Sequence, residues 1–369
     1  MKITRRVFLK STSALALLSG CGVSSDDPSG DGMTPGPGGD GGGDGGGPGT
    51  PVEPGPEPAP WTAPGSEDEN AFAWGIQVGD TTSSSTIAGV RTTEAVVALH
   101  VMRGTDNGWI EEAVIDDLSA NERVVQVALD GLAADHTYSI AFYSADGQRR
   151  SRVARFRTAP APGRSRVIRF GAVSCLGGNR PWKSLSHLAE EKLDFFLLLG
   201  DTIYSDWEVD LDTVTFDHDH YEWKWEEALS TGGLVDLASS TTLVSTWDDH
   251  EVENNWNADN ASMQSQAAIA MNSFRRAIPQ RTGPDGGIWR SVQWGDAVEL
   301  FALDCRSERT GGNYISNAQM SWLKSGLSAS TARFKVILNS VPITDLSSIS
   351  SFGIEDRWEG FSAQRSELL

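Results

Sequence analysis

Five consecutive apolar residues, Phe195-Phe196-Leu197-Leu198-Leu199, most narrow what this chain can fold into. In an extended strand successive side chains leave opposite faces. An unbroken apolar run therefore has to be covered on both faces. The Gly200-Asp201 pair ends the run at strand length rather than helix length. Such a strand belongs in the middle of a layered domain.

Its surroundings repeat the pattern. Residues 167–173, 242–247, 298–303 and 334–339 are further apolar, strand-like runs. Helical spacing over 182–192, 263–277 and 317–327 falls between them. Strands alternating with helices predict an α/β layered sandwich over residues 161–369.

Upstream the pattern is all-β. Short runs at 71–76, 95–100, 124–129 and 138–143 are separated by turn residues, including Asp146-Gly147. Their spacing predicts a β-sandwich over 66–160. The run from Val125 through Tyr138 to Phe156-Arg157-Thr158 resembles a fibronectin type III module. Residues 22–65 are mainly Gly, Pro and Asp, and too poor in apolar groups to offset their ordering entropy. They are expected to form a flexible tether.

The first 21 residues read as an address. Thr4-Arg5-Arg6-Val7-Phe8-Leu9-Lys10 is a twin-arginine pattern, followed by a short apolar run and Leu18-Ser19-Gly20-Cys21. Small residues before Cys21 resemble a bacterial lipoprotein cleavage site. The expectation is export by the twin-arginine route and lipidation at Cys21. The protein would then be anchored at the periplasmic side of a membrane or at a cell surface, touching the membrane only through its lipid. The net charge of −20 excludes non-specific nucleic-acid binding, which needs cations against the phosphate backbone.

Chemistry concentrates where the α/β strands end. Ligands bind at the carboxyl edges of such sheets, where loops vary over a rigid base. The four ends read Ser174-Cys175; Gly200-Asp201-Thr202-Ile203-Tyr204; Trp247-Asp248-Asp249-His250-Glu251, then Asn254-Asn255; and Asp304-Cys305-Arg306-Ser307. Asp201 can bridge two cations, and two cations can clamp the attacking and leaving oxygens of an in-line displacement. Asp249 is a hard oxygen donor suited to a second metal. His250 can act as general acid towards the leaving oxygen. Arg306 offers a planar fork for phosphate, and Asn255 is a candidate substrate contact. Cys175 is either a metal ligand or the disulfide partner of Cys305. His218-Asp219-His220 has metal-like spacing but reads as a solvated loop.

Gly200-Asp201-x-x-Tyr204, Thr246-Trp247-Asp248-Asp249-His250-Glu251-Val252 and Leu303-Asp304-x-Arg306-Ser307 together resemble the alkaline phosphatase D (PhoD-like) branch of the calcineurin-like metallophosphatases. The N-terminal sandwich and twin-arginine start resemble that family as well, so the likeness spans about residues 66–369. It implies ferric iron held by Cys175 and Tyr204, with calcium, in a binuclear or larger site. Asp201 would bridge the metals, Asp249 would hold the second, and His250 would be the catalytic histidine. It also implies a hydrolase in which a metal-bound hydroxide attacks a small phosphate ester, and the protein is expected to act as a monomer. Two features depart from the pattern. No histidine follows His250, although the family normally adds a Gly-Asp-x-His motif on a later strand; the expectation is a chain ending before it. Cys305 stands where the family usually has threonine. The alternatives are a non-catalytic surface lipoprotein with a relic phosphatase domain, and a metallohydrolase of a non-phosphorus ester.

Overall fold

The computed structural model describes residues 5–8, 57–178, 180–230, 232–346 and 353–369. Apart from residues 5–8, the expected leader with Cys21 and most of the tether lie outside the described residues.

Among the described residues ten strands precede residue 160: β1 (Arg5–Phe8), β2 (Ser66–Glu67), β3 (Ile76–Gly79), β4 (Ser85–Arg91), β5 (Val96–Thr105), β6 (Gly108–Ser119), β7 (Val124–Asp130), β8 (Thr137–Ser144), β9 (Arg149–Arg150) and β10 (Ala154–Arg157). In one layer β4 pairs antiparallel with β3 and β7, and β1 runs parallel to β7. In the other, β5 pairs with β6 and β8, while β9 and β10 flank β8. Val90, Val125 and Leu129 of the first layer pack with Leu99, Val101, Ile140 and Phe142 of the second. The alternating apolar runs thus bury one shared core between two sheets.

The remaining strands are β11 (Phe170–Val173), β12 (Phe195–Leu199), β13 (Thr242–Thr246), β14 (Arg290–Trp294), β15 (Val298–Ala302) and β16 (Phe334–Leu338). β11, β12 and β13 are parallel neighbours. β15 lies between antiparallel β14 and parallel β16 in a second sheet. The five-residue apolar run is β12, and it alternates as the period of two requires. Phe195 and Leu197 pack with Val292, Trp294 and Leu300 of the second sheet. Phe196 and Leu198 face α1 (Lys183–Ala189), α2 (His218–Leu229), α3 (Leu234–Ala238) and α4 (Gln264–Ala277). Burying each of these four side chains stabilises the fold by roughly 1.5–3 kcal/mol. Outside the second sheet, Phe301, Leu303 and Ile337 pack with residues of α5 (Asn317–Ala329) and α6 (Ser362–Leu368). The order is helices, sheet, sheet, helices.

The expected boundary at residue 160 does not separate two sheets. β3 pairs with β13 at Gly79 and Leu243, which makes one seven-stranded sheet ordered β1-β7-β4-β3-β13-β12-β11. The junction needs Gly79, because a Cβ there would lie 1.7 Å from the Pro279 carbonyl oxygen. Asp80, next along, is buried and takes Arg290 Nε and Nη2 at 2.6 and 2.7 Å. A second correction concerns His218-Asp219-His220. The segment begins α2 instead of forming a solvated loop, because Asp217 caps it by accepting from the His220 amide at 3.0 Å. His220 is buried, with Nε2 2.7 Å from the Ser205 carbonyl oxygen.

Candidate metal centre

Parallel strands β11, β12 and β13 bring three of the four motif-bearing ends side by side. β11 leads into Ser174-Cys175, β12 into Gly200-Asp201, and β13 into Trp247-Asp248-Asp249-His250. Gly200 allows the close approach. Its φ is +99°, and a Cβ would meet Asp248 Cβ at 2.7 Å and Asp248 N at 2.8 Å. Cys175, Asp201 and Asn255 adopt φ of +55°, +52° and +59°. Non-glycine residues avoid this region unless their surroundings hold them there, and such strain gathers at functional sites.

Asp201, Asp249 and His250 converge, with potential ligand atoms all within 4.8 Å of one another. Tyr204 joins them. Its hydroxyl donates to Asp201 Oδ2 at 3.1 Å, and its ring stacks on His250 at 4.1 Å between centroids. The Cys175 thiol interacts with both Asp201 and Tyr204. Cys175 and Cys305 are free thiols, so the disulfide alternative fails. Cys305 is buried and its Sγ donates to Asn339 Oδ1 at 3.3 Å.

The electrostatics suit a cation. Burial, then the charges of Asp248 and Asp249, push Asp201 up to about 6. Burial, then Asp201, pushes the Cys175 thiol up to about 11 and Tyr204 well above the phenol range. Acids crowded enough to raise one another's pKa have their charged forms favoured by an added cation, even with Arg306 and His250 beside them. The hard carboxylate oxygens with a thiol and a phenol form a donor set for calcium and ferric iron. The residues present therefore fit the implied metals.

Two residues at this site were given no role from the sequence. Asp206 Oδ1 lies 2.7 Å from His250 Nδ1, and Asp206 Oδ2 accepts from the Asn254 amide at 3.0 Å. Burial pulls His250 down, but the hydrogen bond and charge of Asp206, with Asp201 and Asp249, outweigh it and push the imidazole up to about 9. The signal was an acid two residues after Tyr204, on the same turn. Glu251 is the other. Its carboxylate accepts from the amides of Asp201, Thr202 and Asp248 at 3.0, 2.7 and 2.9 Å, tying the β12 and β13 ends together. Complete burial, with Asp201 beside it, pushes Glu251 up to about 8.

Arg306 requires a correction. It is 1% exposed and does not offer its fork to a ligand. Nε and Nη2 engage Asp248 at 2.6 and 3.1 Å, while Nη1 and Nη2 engage Asp356 at 2.7 and 3.1 Å. The buried Asp248 and the half-buried Asp356 consume the planar face that a phosphate would need. Arg306 positions Asp248 and, 3.4 Å from Asp249 Oδ1, steadies the β13 end. Asn255 donates its amide to Asp249 Oδ2 at 2.5 Å and lines a cavity of about 700 Å³ with Asn257, Arg309, Asp356 and Phe361. It thus both fixes the Asp249 carboxylate and lines the cavity.

Comparison with known proteins gives the family and the fold. A family model for PhoD-like phosphatase matches residues 170–369. Alkaline phosphatase D of Bacillus subtilis (strain 168) is 27% identical over 292 residues, covering 66% of this chain and 50% of that protein. This chain thus spans half the length of that relative. The solved structure of PhoD superposes with a TM-score of 0.69 at 23% identity, covering 84% of this chain and 69% of its own. The purple acid phosphatase PPD1 from yellow lupin (Lupinus luteus) seeds gives 0.54 at 13% identity, covering 78% and 53%. At these identities the two structures share the fold. The family model covers more than half of the chain and includes every strand end of the site, so the chain belongs to the PhoD-like phosphatase family.

Proposed function

We propose that this chain is an exported, lipid-anchored, metal-dependent phosphoesterase hydrolysing small phosphate mono- or diesters as a monomer. The observation carrying the reading is the convergence of Asp201, Asp249 and His250 beside Tyr204 and Cys175 at adjacent strand ends. Cys175, Asp201 and Tyr204 would hold ferric iron, and Asp201 with Asp249 would hold calcium. The bound cations would lower the pKa of water and neutralise phosphate charge. Asp249 is kept in place by the Asn255 amide, and Asp201 by the backbone that Glu251 grips. His250 Nδ1 is engaged by Asp206, which leaves Nε2 to deliver a proton to the leaving oxygen. Cleavage before Cys21 would remove β1 with the leader and leave Cys21 to carry the lipid, and the remaining two-layer N-terminal part would be a fibronectin type III-like spacer.

The purified protein, given iron and calcium at alkaline pH, is expected to release p-nitrophenol from p-nitrophenyl phosphate or its bis ester. Chelation should stop the reaction. An absence of chelator-sensitive release from both esters would refute the hydrolase. A ferric tyrosinate and thiolate site should also absorb visible light, and inorganic phosphate should inhibit competitively.

A further inference from the structure

A half-exposed indole stands one ring beyond the Tyr204–His250 stack. Trp207 is 51% exposed, and its ring centroid lies 5.2 Å from that of Tyr204, tilted by 58°. Tyr204 in turn stacks on His250 at 4.1 Å. The three rings form a continuous aromatic path from the candidate acid to the surface. The indole edge also approaches the loop after Cys175: a Cβ at Gly177 would lie 3.4 Å from Trp207 Cζ3.

A single exposed tryptophan is ordinary on a protein surface, but this one stands on a segment whose backbone is pinned. Ser205 donates its amide to the His250 carbonyl at 3.0 Å and its hydroxyl to the Val252 carbonyl at 2.6 Å. Asp206 grips His250 and the Asn254 amide. Lys224, 2% exposed in its side chain, donates to the Trp207 carbonyl at 2.7 Å. Three successive residues are thus pinned to the site or to α2, so the backbone that carries the indole needs little further ordering on binding.

We infer that Trp207 is a stacking platform for the ester group of the substrate, selecting phosphate esters whose leaving group carries a planar aromatic ring. The inference rests on the phosphoesterase reading above. His250 would serve the leaving oxygen, and Trp207 lies on the same aromatic path, so the group attached to that oxygen meets the indole face. An aliphatic polyol has no π-face and gains nothing there.

The test compares wild-type protein with Trp207→Ala and Trp207→Phe on phenyl phosphate and glycerol phosphate, with KM and kcat measured separately. Calorimetric binding of phenylphosphonate and methylphosphonate to the metal-supplied protein gives a readout free of turnover. Stacking on an aromatic side chain predicts about a tenfold rise in KM for the phenyl ester in Trp207→Ala. KM for the glycerol ester and kcat for both should stay within about twofold, and Trp207→Phe should restore most of the loss. The phenylphosphonate preference should collapse in the same variant. Equal losses for both esters, or no loss for either, would overturn the platform, as would a wild type that binds the two phosphonates alike. A wild type that prefers phenylphosphonate through Trp207 but hydrolyses neither ester would refute the phosphoesterase reading and keep the platform.

Discussion

Asp206 Oδ1 and His250 Nδ1 lie 2.7 Å apart at the head of the β13 loop, and this pair sets the charge of the candidate acid. The raised imidazole pKa, about 9 against 6.5 ordinarily, favours folding while His250 is protonated. That contribution is complete below pH 6.5 and is lost as pH rises through about 9. Asp206→Asn removes the charge and leaves a neutral partner. The variant is expected to titrate His250 clearly below 9 in the metal-free protein, followed by NMR. It should also lose about 2 kcal/mol of stability at pH 6. An unchanged His250 titration would show that the pair does not control it.

Gly200→Ala should harm both fold and site. The substitution forces an L-residue to φ +99° and drives a Cβ into the Asp248 backbone. Backbone cannot swing aside as a flexible side chain does, so the expected cost is about 2–4 kcal/mol in denaturant unfolding. Metal affinity should fall in the same variant, since Asp201 and Asp248 flank the clash.

Arg306 is expected to act on stability first. Truncation to Ala would leave Asp248 without its guanidinium partner and Asp356 with Arg309 alone. Removing one partner of a buried pair costs about 3–5 kcal/mol, measured by chemical denaturation. Arg306→Lys should fail to rescue fully, because a single ammonium cannot make both bidentate contacts. A loss of phosphate affinity with unchanged stability would instead restore a substrate-binding role.

Asp201→Asn should have opposite effects with and without metal. In the metal-free protein Asp201 has a folded pKa of about 6, above 3.8. Its favourable contribution is present below pH 3.8 and disappears as pH rises through about 6. Removing the charge should therefore raise the melting temperature of metal-free protein at pH 8. With iron and calcium the wild type should be the more stable, because binding to the folded state alone stabilises it. Metal uptake by the wild type should release protons as the Cys175 thiol and Tyr204 phenol are displaced from their neutral forms. Calorimetry in buffers of different ionisation enthalpy measures that release.

Much of this was legible in the residues themselves. Phe195–Leu199 announced a strand covered on both faces, and the strand ends announced oxygen, sulfur and imidazole donors. These signals are local: a period of two, a run length, and polar residues after an apolar stop. Arg306 was misread because its type suits both phosphate and carboxylate, and only the fold shows Asp248 and Asp356 on its two edges. The boundary near residue 160 was drawn from a change of pattern. Nothing in that pattern reveals that Gly79 meets Leu243 across 163 intervening residues.

By itself the sequence determined the strands, their order of chemistry and the family motifs, because backbone sterics and apolar periodicity act between near neighbours. Tertiary structure alone decided which side chains meet. It joined Asp206 to His250, set Glu251 beneath three amides, and laid Trp207 beside Tyr204. The physical reason is that hydrogen bonds, ion pairs and ring contacts depend on distances of a few ångströms. Those distances arise only when β11, β12 and β13 align their ends and close the loops above them.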